Sequence, residues 1–273
     1  MATAATVITA PRRLLEPRRD GVSGWGTIAA PLAIGLVALG AWQLLVGVGA
    51  VDDYVLPSPA AIATETAAFL PAIIEGAGVT GLNALLGLIA GTLVGIALAA
   101  VAAAAKPAAG MLAPIVAALA VIPIVALAPV LNTMFGADSQ VGRQAIAGIA
   151  AFTPVFLNTL RGLRQARPVH RDLMRVFAAT PWQAFRAVTL PTATPHVFTG
   201  IRIASSLAVI SALVAEYFGG PRGGLGGLIS TYAAQSAYAR SWAFVVGAVA
   251  LGVVFYVVAS VVERLASRHA TSV

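Results

Sequence analysis

Six stretches of this chain are apolar for long enough to cross a lipid bilayer, and no other feature restricts the possible folds as severely. They cover roughly 26–48, 77–104, 110–131, 143–160, 196–216 and 242–262, against the about 20 residues that a helix needs to span the hydrocarbon core. A soluble fold of 273 residues must cover its surface with charge. Only 10% of these residues are Asp, Glu, Lys or Arg and 59% are hydrophobic, whereas soluble domains carry about 25% charged residues. Much of the surface therefore faces lipid. Inside a bilayer every backbone N–H and C=O must find a partner within its own segment, which favours helices. The expected fold is all-α, integral to the membrane, with six transmembrane helices in one domain over 26–264 and short tails at 1–25 and 265–273. The first span follows Arg12, Arg13, Arg18 and Arg19 with no clear small-residue cleavage site after it, so it is expected to remain uncleaved.

The basic residues orient the bundle. Sixteen of the 17 are Arg, and they sit at the ends of spans instead of along one polar face, which speaks against nucleic acid as the partner despite a net charge of +7. With both termini in the cytoplasm, fourteen basic residues fall on or near the inner side, and only Arg143, Arg222 and Arg240 fall outside. This bias is the signature of membrane topology. Asp52, Asp53, Glu65, Glu75, Asp138 and Glu216 lie toward the outer side. The implied location is the cell inner membrane.

Between spans, Ser58-Pro59 is a good cap and first-turn pair, predicting a short helix to about Pro71 with Ile62, Phe69 and Leu70 against the bundle. Gly87, Gly91 and Gly95 recur every fourth residue. That ladder marks a close helix contact, or else merely reflects a chain rich in small residues. The third stretch is interrupted by Pro114, Pro123 and Pro129. The inner loop at 161–195 is far longer than a connector requires. It is predicted to hold one helix at about 168–179, with Val169, Leu173, Val176 and Phe177 on one side. A second starts at Thr180, with Pro181 in the first turn and Gln183 completing a capping box. Trp182, Phe185 and Val188 form its apolar face, Leu190-Pro191 ends it, and Pro195 opens the next span. A capped helix with an aromatic face offers a docking element for a cytoplasmic partner. The alternative is a helix resting on the bilayer with its Arg residues on lipid phosphates.

Asp172-Leu173-Met174, Ala178, Val188 and Leu190-Pro191 stand at the spacing E-A-A-x3-G-x9-I-x-L-P. In this the chain resembles the membrane subunits of binding-protein-dependent ABC importers with the type I, six-span fold. Trp182-Gln183-x-Phe185-Arg186, Leu56-Pro57-Ser58-Pro59, Pro114 through Pro123 and Ala128-Pro129 to Phe135-Gly136, Pro154 to Thr159, and Ala215-Glu216-Tyr217-Phe218-Gly219 are similar to the nitrate/sulfonate/taurine-type permeases. The chain departs from the motif at Asp172, Leu173, Met174 and Ala178, where the family has Glu, two Ala and Gly, and at Asn83, where an Arg is often found. Ala178 either differs at the turn or stays helical.

The resemblance implies two permease copies in a dimer around a central pathway, two cytoplasmic ABC ATPase subunits beneath, and an extracytoplasmic solute-binding protein above. It implies that Asp172, Ala178, Thr180, Pro181, Trp182, Gln183, Phe185, Leu190 and Pro191 couple the bundle to the ATPase. ATP belongs to that partner: the chain has no G-x4-G-K-[ST] loop, and no cofactor or metal is expected on it. His170, His196 and His269 are scattered without ligand spacing, and no acid–base set suggests an enzyme. Asn132, Asn158, Ser205 and Glu216 are polar groups in apolar helices, explained either by packing or by the translocation pathway. Arg202 is expected to snorkel to the cytoplasmic surface. Gly219 to Gly227, with Pro221 and Arg222, is read as a turn or re-entrant segment. The expected cargo is a small polar or anionic solute, like nitrate, a sulfonate or taurine, or else a heterocyclic pyrimidine or vitamin precursor. An ion-coupled secondary transporter is the competing class; it would usually need inverted repeats and ionisable groups at the midplane.

Overall fold

The computed structural model describes residues 24–52, 54–136, 139–219 and 223–270. Arg12, Arg13, Arg18, Arg19, Asp53, Asp138, Gly220, Pro221 and Arg222 lie outside the described residues, as do the side chains of Lys106, Arg268 and His269. The described residues form helices α1 (Gly24–Gly47), α2 (Pro59–Ala68), α3 (Leu70–Ala104), α4 (Lys106–Val121), α5 (Ile124–Phe135), α6 (Val141–Arg164), α7 (Pro168–Val176), α8 (Pro181–Ala184), α9 (Leu190–Gly219), α10 (Leu225–Ala234) and α11 (Tyr238–Ala270). Among the described residues, five helices are long and apolar enough to cross a membrane. The sixth candidate is the α4–α5 pair, bent by 98°. Of the three prolines in that stretch only Pro123 marks the break. It stands with ψ 110 just ahead of α5, while Pro114 and Pro129 remain inside helices.

The glycine ladder is a contact face. A Cβ on Gly87 would lie 2.5 Å from the Ala147 Cβ, one on Gly91 2.3 Å from the Gly148 carbonyl oxygen, and one on Gly95 3.1 Å from Val155. Thus α3 lies almost backbone to backbone on α6, as small residues permit where lipid supplies no hydrophobic drive to associate. Helix α9 packs on α6 as well: Gly200 of α9 lies on Pro154, Val155 and Asn158, and Gly162 of α6 lies on Ala193 and His196. The core of Ala84, Leu88, Ala147, Ala151, Ala204, Ala208 and Ala212 runs through this three-helix layer. Outward-facing residues such as Leu93 on α3 and Val258 on α11 stay exposed, as a lipid-bathed surface requires.

The cap at Ser58 forms as predicted, its hydroxyl accepting from the Ala61 amide at 3.2 Å. The helix it starts stops at Ala68, and α3 begins at once, with Pro71 in its first turn. The larger difference is at Pro191. The expectation that Leu190-Pro191 ends a helix and Pro195 opens another is not met. The helix runs unbroken from Pro181 to Gly219, 39 residues. Proline inside a regular α-helix drives its ring into the carbonyl four residues back. Here a π-helical turn over Phe185–Thr189 widens the backbone just before Pro191, and the Leu190 amide reaches five residues back to the Phe185 carbonyl. The turn absorbs the clash that would otherwise terminate the helix.

Candidate functional site

At one end of the bundle, residues 165–190 form a hook. Helix α7 closes with a Schellman pair: the Ala178 amide donates to the Arg175 carbonyl at 2.9 Å and the Ala179 amide to the Met174 carbonyl at 3.0 Å. That geometry demands a left-handed residue after the cap, and Ala178 supplies it with φ 49. The turn normally made by glycine therefore survives with alanine, at a steric cost. The chain then restarts cleanly. The Gln183 amide donates to the Thr180 hydroxyl at 3.3 Å, the Thr180 amide donates to the Gln183 side chain at 2.8 Å, and Pro181 fills the first turn. Trp182 and Phe185 stack with centroids 5.5 Å apart. Trp182 is 67% exposed, and Val169, Leu173, Val176 and Phe177 are exposed beside it in sequence. Asp172 pairs with Arg175 at 3.0 Å in the open. Leu190 is exposed and Pro191 half-buried where the hook enters α9.

At the opposite end, Glu216 is 2% exposed and its carboxylate is enclosed. One oxygen accepts from the Thr80 hydroxyl at 2.7 Å and the Gly226 amide at 3.1 Å, the other from the Asn83 side-chain amide at 3.3 Å. Thr80 also accepts from the Leu225 amide at 2.9 Å. Asn83 extends the network to Gln140 at 2.8 Å and receives Gln144 at 3.2 Å. Arg143, 1% exposed, donates to Gln140, and its positive charge is felt at Glu216. Three helices, α3, α9 and α10, are thereby tied through one carboxylate, and α6 joins them through Asn83. The glycine run permits it: a Cβ on Gly224 would sit 2.3 Å from the Glu216 Cδ, and one on Gly226 2.2 Å from the Leu213 carbonyl oxygen. Much of that run is thus helical cap and first turn of α10.

The other polar candidates do not join this group directly. Asn132 is buried and donates to the Ala215 carbonyl at 3.1 Å. Asn158 donates to the Pro154 carbonyl at 2.8 Å and Ser205 to the Arg202 carbonyl at 2.7 Å, each within its own helix. Arg202 is tied down: its Nε lies 2.6 Å from Glu263, Thr199 donates to the same carboxylate at 2.6 Å, and its Nη1 donates to the Tyr256 hydroxyl at 3.1 Å. His196 bonds to Gln165, an exposed contact just past the end of α6. Sequence reasoning missed Arg143 as a buried group, along with Gln140, Gln144 and Glu263. The signal for the first three was present, since 140, 143 and 144 share one face of a helix at i, i+3, i+4. Among the described residues no three His, Asp or Glu approach closely enough to hold a metal ion.

A polytopic helical bundle with a broken span and an apolar hook at one end defines a multi-pass membrane protein. Residues 91–270 match the pattern of the family described as "Binding-protein-dependent transport system inner membrane component", and the chain belongs to that family. It is an ABC importer permease subunit of the inner membrane. A probable ABC transporter permease protein of Haemophilus influenzae is 31% identical over 193 residues, covering 71% of this chain and 78% of that protein. A putative aliphatic sulfonates transport permease protein of Bacillus subtilis is 29% identical over 197 residues, 70% of each. The solved structure of an amino acid ABC transporter with histidines superposes with a TM-score of 0.60 at 17% identity, over 74% of this chain and 96% of that one. At that identity the match concerns the fold.

Proposed function

We propose that this permease is driven by ATP hydrolysed on cytoplasmic ABC ATPase subunits that seat the hook, and that an extracytoplasmic binding protein delivers the solute. The observation that carries the reading is the hook itself. Large apolar side chains, Trp182 foremost, are held out from the bundle by a capping box and a Schellman turn. Exposed apolar surface on a rigid scaffold marks a protein contact. The hook is continuous with α9 through the π turn, so movement of a docked partner is delivered directly to a helix of the central layer. Closure of the ATPase pair favours one tilt of α9 over another, which is a population shift driven by differential contact. In this reading both termini and residues 161–195 are cytoplasmic, the functional unit holds a second copy of the chain, and lipid surrounds it. Thr180, Pro181 and Gln183 stiffen the hook, Asp172 and Ala178 set its turn, Trp182 and Phe185 fill the partner's cleft, and Leu190 and Pro191 join it to the span. The cargo is a small polar or anionic solute, sulfonate- or nitrate-like, or a heterocyclic nutrient precursor. Whether Asn132, Asn158, Ser205 or Glu216 lines its pathway depends on rearrangement, because Glu216 is caged and Asn132 and Ser205 are buried in this conformation.

Affinity purification from the native host with Trp182→Ala and Phe185→Ala tests the reading. The wild-type chain is expected to bring down a nucleotide-hydrolysing subunit, and the variants to lose it while remaining folded in the membrane. Solute uptake that persists after deletion of every such subunit refutes it and favours ion coupling instead.

A further inference from the structure

Behind the hook, between it and the helical layer, lies a cavity of about 750 Å³, within the roughly 300–1,000 Å³ range of sites that hold a small ligand. Trp182 and Phe177 stand open outside it. Phe185, which the functional reading seats in the partner's cleft, lies on its hook-side wall, but the rest of the space, along α3 and α9, has no role in that reading. Its two regions differ in chemistry. Along α3 the wall is Ile96, Ala100 and Ala103, and along α9 it includes Val197 and Phe198. From Ile96 to Ala104 this apolar slot follows the helix for about 12 Å. At the hook, Arg171 and Arg175 border the same space. Arg171 is exposed, and Arg175 gives Nη1 to Asp172 at 3.0 Å, keeping further donors for another anion. Thr159 on the wall is 2% exposed, and its hydroxyl has no hydrogen-bond partner. That is an unusual state for a buried polar atom.

We propose that this cavity is a binding site for one anionic phospholipid, with its phosphate on Arg171 and Arg175 and an acyl chain in the slot along α3 and α9. Guanidinium groups suit phosphate oxygens. A water-soluble anion would gain the same head contact but leave the apolar slot unfilled. The order of the parts, charge at the helix ends and apolar wall running into the bundle, is that of a lipid standing in a leaflet. With the hook on the cytoplasmic side, as proposed above, this is the inner leaflet, whose anionic lipids are drawn to basic juxtamembrane segments.

The test uses the full chain reconstituted in vesicles of phosphatidylcholine and phosphatidylglycerol in equal parts, then extracted and weighed intact by native mass spectrometry. The expected result is one retained phosphatidylglycerol per chain, with phosphatidylcholine retained several-fold less. Arg171→Gln with Arg175→Gln should remove the preference. Ala100→Phe, at an exposed position of α3 that lines the slot, should reduce retention several-fold with both arginines intact. Equal retention of the two lipids overturns the proposal. So does undiminished retention in Ala100→Phe, which would mean a surface charge contact only, or displacement of the lipid by free inorganic phosphate. Retention by the isolated chain needs no ATPase. A hook that keeps its lipid but captures no nucleotide-hydrolysing subunit therefore defeats the functional reading and leaves the site standing.

Discussion

Replacing Ala178 with glycine should stabilise the hook. Alanine at φ 49 brings its Cβ against the backbone, at a cost of about 1–2 kcal/mol relative to a right-handed conformation. Glycine removes that cost but brings a more flexible unfolded chain, offsetting about 0.4–1 kcal/mol. The net gain is about 0.5–1 kcal/mol, and it falls on the local opening of the turn because the two Schellman bonds close only with residue 178 left-handed. Hydrogen exchange of the peptide covering 174–180, read by mass spectrometry in detergent, reports that opening through the Ala179 amide and the amide of residue 178. A gain of this size slows exchange by about two- to five-fold. Ala178→Val should do the opposite, since a β-branched residue is a true outlier at positive φ. Unchanged or faster exchange in Ala178→Gly would falsify the claim that this turn is strained.

Further outcomes follow from the packing. Gly91→Val should lower thermal stability by about 1–3 kcal/mol or more, because its Cβ would meet the Gly148 carbonyl at 2.3 Å; unfolding in detergent measures it, and Gly78→Ala, with open space around it, is the control. Glu216→Ala strands the Thr80, Asn83 and Gly226 donors, each at about 1–3 kcal/mol, and limited proteolysis should then cut near Leu225–Ala234 first. Glu263→Gln should destabilise by up to about 3 kcal/mol, discounted for partial exposure of the pair with Arg202. Asp172→Asn, which breaks the open pair with Arg175, should cost under about 1 kcal/mol; equal losses in the two variants would contradict the burial contrast.

The local features of this fold were readable because their causes are local. The Ser58 cap, the capping box at Thr180–Gln183 and the end of α7 near Ala178 depend on neighbours a few residues apart, and the structure has each of them. Features that depend on distant partners were not readable. Thr80 and Glu216 are 136 positions apart, so the cage around the carboxylate had no sequence signature beyond a glycine run open to several uses. Arg143 was counted as a topological charge because the face it shares with Gln140 and Gln144 does not reveal that Asn83, 57 positions before Gln140, joins the group. Three prolines announced a broken third stretch without saying which one would break it. Pro191 resembled a terminator because the π turn that accommodates it is a backbone adjustment with no residue code of its own.

The near contact of α3 with α6 restricts how this protein is able to move. Elsewhere, helices slide by letting interdigitated side chains hop to new rotamers. At Gly87, Gly91 and Gly95 there is little side chain to hop: main chain of α3 lies against the main chain and short side chains of α6, with carbonyl oxygens in the way. The two helices should therefore travel as a single plank. Rearrangement is left to joints at its margins, among them the bend at Ile122-Pro123. A disulfide engineered across the plank should leave transport intact, whereas one that fixes the α4–α5 angle should arrest it.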